Sequence, residues 1–182
     1  MKFLLTSTGL MSEEIQNVFL NNVPESVEDV RVIFVPTAAN DEESKAMLPK
    51  CMNDLTKLGV IKENILEYDL DGTLSVEDAL KFDAIYFCGG STKYLLERIN
   101  EIGFSNIISE MLKAGKLFIG VSAGSKICGS NYEGNLGYLN RNIELHCKEG
   151  SPFGKVSGSD TIYLTDSQAL VIYDNDWTII GD

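Results

Sequence analysis

The stretch Leu117-Phe118-Ile119-Gly120-Val121-Ser122-Ala123-Gly124 decides how this chain folds. Three strand-forming residues run into a small-residue segment that reads as a helix start. The pattern G-x-S-x-G at such a junction is a nucleophile elbow, in which a serine on a sharp turn projects its hydroxyl from the carboxyl edge of a sheet. Its neighbours must be small, because the turn is strained and the backbone passes close to adjacent elements.

Working outward, apolar runs alternate with helix-period segments. Phe3-Leu4-Leu5, Val30–Val35, Ile65–Tyr68 and Ala84–Cys88 read as strands. Between them, helices are expected from Ser12 (as cap) through Val23, over Glu42–Leu58, over Val76–Lys81, from Thr92 to about Ile102, and near Ser105–Lys113. Glu13 and Glu14 suit the positive end of the first helix, and Gly59 is a stop signal after the second. Regular alternation implies right-handed crossovers and an α/β fold, a three-layer α/β/α sandwich around a mainly parallel sheet. After Gly129, glycine, asparagine and short strands dominate (Ile143–His146, Thr161–Leu164, Ala169–Tyr173, Thr178–Ile180), which implies a C-terminal antiparallel edge. No repeat or linker divides the chain, so residues 1–182 are expected to form one domain.

With 182 residues and 44% hydrophobic side chains, the chain can bury a core without staples. Its longest apolar runs are strand-sized, so no membrane span is expected. The four cysteines, Cys51, Cys88, Cys128 and Cys147, are widely spaced without a C-x-x-C pair. Reduced thiols in a cytoplasmic protein are the expectation, with no zinc site. No phosphate-loop or dinucleotide pattern occurs, and no cofactor is expected.

A net charge of −12 argues against nucleic acid or an anionic membrane as partner. Residues 113–155 nevertheless carry +3, from Lys113, Lys116, Lys126, Arg141, Lys148 and Lys155 against Glu133, Glu144 and Glu149. The elbow lies inside this stretch, so a pocket attracting an acidic substrate is one expectation; a solvated basic surface is the other.

A serine hydroxyl needs a base at neutral pH. The chain has a single histidine, His146, so a Ser–His mechanism has only one assignment. Strand alternation through Ile143-Glu144-Leu145-His146 puts Glu144 and His146 on one face, away from the core. Three acids are candidates for orienting the imidazole. Glu133 comes first, as the one acid between the elbow helix and the His146 strand. Glu144 shares the histidine's face, and Asp166 lies in a turn before a late strand. An oxyanion hole needs two N–H groups: Ala123, after the serine, and Gly90, at the end of the neighbouring strand, are the candidates. Pro36-Thr37-Ala38 ends the second strand at the same sheet edge.

At these residues the chain resembles the peptidase E family of serine peptidases, which includes aspartyl dipeptidase and cyanophycinase. The matching pieces are Val35-Pro36-Thr37-Ala38, Cys88-Gly89-Gly90-Ser91-Thr92, Gly120-Val121-Ser122-Ala123-Gly124-Ser125, Leu136-Gly137-Tyr138-Leu139 with Ile143–His146, and Leu164–Val171. The resemblance implies a fold similar to class I glutamine amidotransferases, with serine where those have cysteine. It also implies Ser122 as nucleophile, His146 as base, Gly90 and Ala123 as oxyanion donors, and a small peptide, such as an aspartyl dipeptide, as substrate. Two departures stand out. The segment between serine and histidine is short, holding only Glu133 and Glu144. The family's arginine-containing helix after the histidine is replaced by Cys147–Ser159, with three glycines and a proline.

The leading expectation is a serine hydrolase of small peptides or amides. The alternative is a catalytically silent relative that binds a small ligand or a protein; an amidotransferase-like subunit comes third. Self-association as a homodimer is compatible with either of the first two.

Overall fold

Three segments of almost unbroken apolar residues, Val32–Val35 (β2), Ala84–Phe87 (β4) and Leu117–Val121 (β5), are buried at every position. Strands read this way when both faces of a sheet are covered. In the structure, a computed structural model that describes residues 1–158 and 160–181, they join Lys2–Thr6 (β1) and Ile65–Glu67 (β3) in a parallel sheet ordered β3-β2-β4-β5-β1. Beyond β1 the sheet turns antiparallel, adding Ala169–Tyr173 (β9), Asp176–Ile180 (β10) and Gly154–Lys155 (β7) in that order. A separate small parallel pair is formed by Ile143–Glu144 (β6) and Ile162–Tyr163 (β8). Ser159 and Asp182, the last residues of the Cys147–Ser159 segment and of the chain, lie outside the described residues.

Alternate side chains of the same strands feed two separate cores. Phe3, Leu5, Ile33, Val35, Phe87 and Phe118 face one layer of helices, Val76–Ala79 (α3), Thr92–Glu101 (α4) and Ser105–Lys113 (α5). Phe87 and Phe118 stack there at 5.0 Å. Leu4, Val32, Phe34, Tyr86 and Ile119 face the other layer, Glu13–Leu20 (α1) and Glu42–Thr56 (α2), through Ile15, Phe19, Cys51 and Leu55. This is the expected three-layer α/β/α arrangement with a mainly parallel sheet and an antiparallel C-terminal edge.

Helix starts follow the capping residues. Ser12, Asp41, Ser75 and Ser91 each accept a backbone N–H from the first turn of α1, α2, α3 and α4. Helix ends fall short of the expected positions: α1 stops at Leu20 and α2 at Thr56, before Val23 and Leu58. Strand β7 was not expected; Gly154 and Lys155 pair with Ile179 and Thr178. The strand expected over Ile143–His146 keeps two residues, because His146 turns into the left-handed region at φ 58°. Among the described residues, no helix is long and apolar enough to cross a membrane.

The register of β1 matters most for the site. Thr6 is level with Val121 of β5 on one side and with Ala169 of β9 on the other. The carboxyl ends of two parallel strands and the approach to an antiparallel one therefore meet at a single edge, where α/β sheets place ligands.

Candidate active site

Ser122 follows β5 at φ 49°, ψ −108°, and the short helix Ala123–Lys126 (α6) starts at the next residue. A non-glycine residue with that φ costs roughly 1–3 kcal/mol and persists only where its surroundings fix it. The surroundings here are explicit. A Cβ on Gly120 would fall 2.5 Å from the Gly124 carbonyl oxygen, and one on Gly124 would fall 2.4 Å from that of Phe87. Glycine at both places is thus a steric requirement of the turn. The Ser122 N–H donates to Thr6 O at 3.0 Å. The buried Ser125 hydroxyl accepts from the Thr6 N–H at 3.0 Å, with the carbonyls of Gly120 and Thr6 at 2.7 and 2.8 Å to receive its proton. The serine's turn is pinned to the end of β1.

His146 comes to the serine from outside the main sheet. In the β6–β8 pair, Leu164 N–H donates to Glu144 O at 2.8 Å and Cys147 N–H to Leu164 O at 3.0 Å, so the segments around residues 146 and 165 run side by side. The His146 N–H donates to Ser7 Oγ at 3.2 Å, just past β1. Its Nε2 then lies 3.1 Å from Ser122 Oγ, and its Nδ1 lies 2.6 Å from Asp166 Oδ1. Thr8 Oγ1 donates to the Asp166 carbonyl at 2.6 Å, so the loop after β1 holds both the histidine and the acid.

Asp166, not Glu133, is therefore the carboxylate on the imidazole. Glu133 is exposed in the irregular segment after Gly129, and the His146 ring bonds that the structure describes go to Ser122 and Asp166. Glu144 does not share the site either: it accepts from Asn131 at 2.8 Å and lies 3.5 Å from Lys126 Nζ. Ile143 and Leu145 are buried while Glu144 and His146 are not, as alternation implies, but the chain turns at His146 (φ 58°), so sharing a face does not bring the carboxylate to the ring.

The glycine pair expected beside the serine is in place. A Cβ on Gly89 would sit 3.2 Å from Ser122 Cβ and 3.8 Å from Oγ. Gly90 has φ 137°, and a Cβ there would fall 2.0 Å from Ala38 O, which receives the Ser91 N–H at 2.7 Å. Only glycine fits such a backbone. Among the described residues, the Gly90 N–H has no backbone acceptor. Ala123 opens α6, so its N–H is one of the donors a helix start leaves unpaired. Ala38 backs Gly90 from behind, while Thr37 turns to Asp69 at 2.8 Å.

Ser122, His146, Gly89 and Gly90 form one side of a cleft of about 470 Å³, and α2 forms the other. The basic side chains expected to surround it do not. Lys113 pairs with Glu110, Lys116 with Asp83, Lys126 with Glu144 and Lys155 with Asp176, while Arg141 lies 4.7 Å over the Trp177 ring. The charged residues lining the cleft are Asp41, Glu43 and Lys50. Lys148 is exposed, and none of the six cations lines the cleft despite their closeness to the serine in sequence, so the charge argument for an acidic substrate loses its footing. Among the described residues, no three His, Cys, Asp or Glu side chains are grouped to hold a metal ion.

The model of peptidase family S51 matches residues 3–140. The chain belongs to that family. Among curated proteins, this S51 chain is 29% identical over 109 residues to an uncharacterized peptidase of Pasteurella multocida, covering 59% of this chain and 52% of that one. It is 36% identical over 102 residues to an uncharacterized peptidase of Listeria innocua, covering 55% and 48%. Against the peptidase E of Shewanella amazonensis the figures are 32% over 97 residues, 53% and 40%. The chain thus spans about half the length, or less, of these curated relatives.

Over the whole fold the likeness is wider. A crystal structure of a peptidase E-like protein from Listeria monocytogenes superposes with a TM-score of 0.76 at 22% identity, covering 100% of this chain and 98% of that one. A peptidase from an acI-B1 Actinobacterium gives 0.62 at 18%, covering 100% and 87%. The S51 match includes Ser122 and the glycine pair and stops before His146 and Asp166, which only the folded geometry brings to the serine.

Proposed function

We propose that this S51 protein is a serine peptidase that cleaves a small peptide or amide through an acyl-enzyme on Ser122. The observation that carries the reading is the continuous line Ser122 Oγ–His146 Nε2, 3.1 Å, and His146 Nδ1–Asp166 Oδ1, 2.6 Å. Asp166 keeps the proton on Nδ1, which leaves Nε2 free to accept one. As Ser122 Oγ attacks the substrate carbonyl, its proton passes to Nε2. The oxyanion that forms is held by the N–H groups of Gly90 and Ala123. His146 then gives its proton to the leaving amine. Water, deprotonated in turn by His146, attacks the acyl carbonyl and releases Ser122. The strained turn at Ser122 suits a nucleophile elbow, in which the serine is held clear of the sheet for attack.

The side chains of His146 and Asp166 are 49% and 67% exposed. An ion pair between them would be screened in the free protein and strengthened when a substrate covers it. The cleft, at about 470 Å³, suits a small peptide.

A fluorophosphonate tests the reading, since it phosphonylates an activated serine. Labelling of the wild type, lost in Ser122→Ala and reduced about 10²-fold or more in His146→Ala, is expected. Absence of labelling in the folded wild type would leave a binding protein built on a peptidase frame.

A further inference from the structure

Opposite Ser122, the cleft wall is one face of α2. Ser44, Met47, Leu48 and Cys51 recur at spacings of three and four, so they share one side of the helix, and all four line the cleft. Cys51 is buried against the sheet, and Cys88, buried at the end of β4, joins it in the cleft floor. Met47 is different: a large apolar side chain left 50% exposed in the same cleft that Ser122 and His146 line. Burial in the protein does not explain that placement. A flexible thioether over an apolar floor is well suited to pack against a variable side chain brought from outside.

The charges at the cleft point the same way. Asp41 and Glu43 open α2, and Asp41 is occupied as its cap, accepting from the Ser44 N–H at 2.8 Å. Lys50 follows Glu43 by seven residues, two helical turns along the same flank of α2. Two carboxylates against one ammonium give an acidic substrate no net attraction, and among the described residues no arginine lines the cleft.

We infer that the Met47–Leu48–Cys51 face of α2 is the side-chain subsite of this peptidase, and that it selects an uncharged apolar residue over an acidic one. The inference rests on the peptidase reading above. An apolar side chain there leaves water for Met47 and Leu48. A carboxylate would lose its water there, with Lys50 as the single ammonium of the lining set against the carboxylates of Asp41 and Glu43.

The test is protection of Ser122 from fluorophosphonate labelling by dipeptides, which reads occupancy of the cleft whether or not the peptide is cleaved. Leu, Met, Asp and Lys are varied at each of the two positions. Leucyl or methionyl dipeptides at one position are expected to protect at concentrations about 10- to 100-fold lower than aspartyl ones. Met47→Ala should weaken the apolar protection, and Met47→Lys should move the preference toward Asp. Met47 is half exposed, so neither change threatens the fold. Protection led by aspartyl dipeptides in the wild type, or a preference unmoved in both variants, would overturn the inference and leave the peptidase reading standing. A wild type that does not label at all would instead fail that earlier reading.

Discussion

Asp166 lies 2.6 Å from His146 Nδ1 although the two residues sit on different strand systems, one before β9 of the main sheet and one after β6 of the small pair. What joins them is the loop after β1. Ser7 Oγ takes the histidine's N–H, and Thr8 Oγ1 donates to the aspartate's carbonyl. The carboxylate is thus placed beside the ring by hydroxyl-to-backbone hydrogen bonds around the sheet edge.

Removing that acid should be costly, and removing the rival should not. Asp166→Ala is expected to lower kcat/KM about 10²- to 10⁴-fold, chiefly in kcat, by freeing the imidazole tautomer. Glu133→Ala should stay within about twofold of the wild type. Steady-state kinetics on one dipeptide decides between them, and the reverse ranking would return the role to Glu133.

Ser125→Ala should act on the serine's support. The change leaves the buried Thr6 N–H without its acceptor, at a cost of about 1–3 kcal/mol. Urea unfolding should show that loss, and fluorophosphonate labelling of Ser122 should slow. Unchanged stability would mean that water replaces the hydroxyl.

Gly90→Ala places a methyl carbon 2.0 Å from the Ala38 oxygen at a φ of 137°. Overpacking of this kind costs about 1–3 kcal/mol or more, and the shifted backbone would carry the Gly90 N–H away from the serine. A lower melting temperature together with loss of kcat is the expected pair of effects; full activity would remove Gly90 from the oxyanion site.

Asp54 gives a pH test unconnected with catalysis. Burial holds its carboxyl above the ordinary value of 3.8, although Leu10 N–H and Tyr86 OH donate to it. With the folded value raised, the ionised group costs stability above that folded value, and the cost vanishes as pH falls below 3.8. Asp54→Asn should therefore raise the melting temperature at neutral pH, with a gain that shrinks on acidification. A gain independent of pH would assign the effect to packing.

Much of this architecture is legible in the sequence because it obeys local rules. Buried strings such as Leu117–Val121 announce interior parallel strands, and Gly120 flanks Ser122 for a steric reason that acts within five residues, whereas Gly124 is required by the Phe87 carbonyl of the neighbouring strand. Asp166 was legible only as one of three acids. Its position depends on β9 pairing antiparallel with β1 so that Thr6 faces Ala169, a contact between opposite ends of the chain that no local pattern encodes. The lysines misled for the complementary reason: Lys116 and Lys126 neighbour the serine in sequence, and their partners Asp83 and Glu144 hold them off the cleft.

The order in which the chain is synthesised gives the β1–β9 pairing a further meaning. Ser122, its glycines and its anchor on Thr6 all precede His146 and Asp166 in sequence. A nascent chain can build the serine's turn while its imidazole and carboxylate are still unmade. The proposed base and its carboxylate come from the segments that precede β9, which itself pairs with the first strand. On the peptidase reading, reactivity would wait for those closing strands, and a partly made chain would carry a serine without its base.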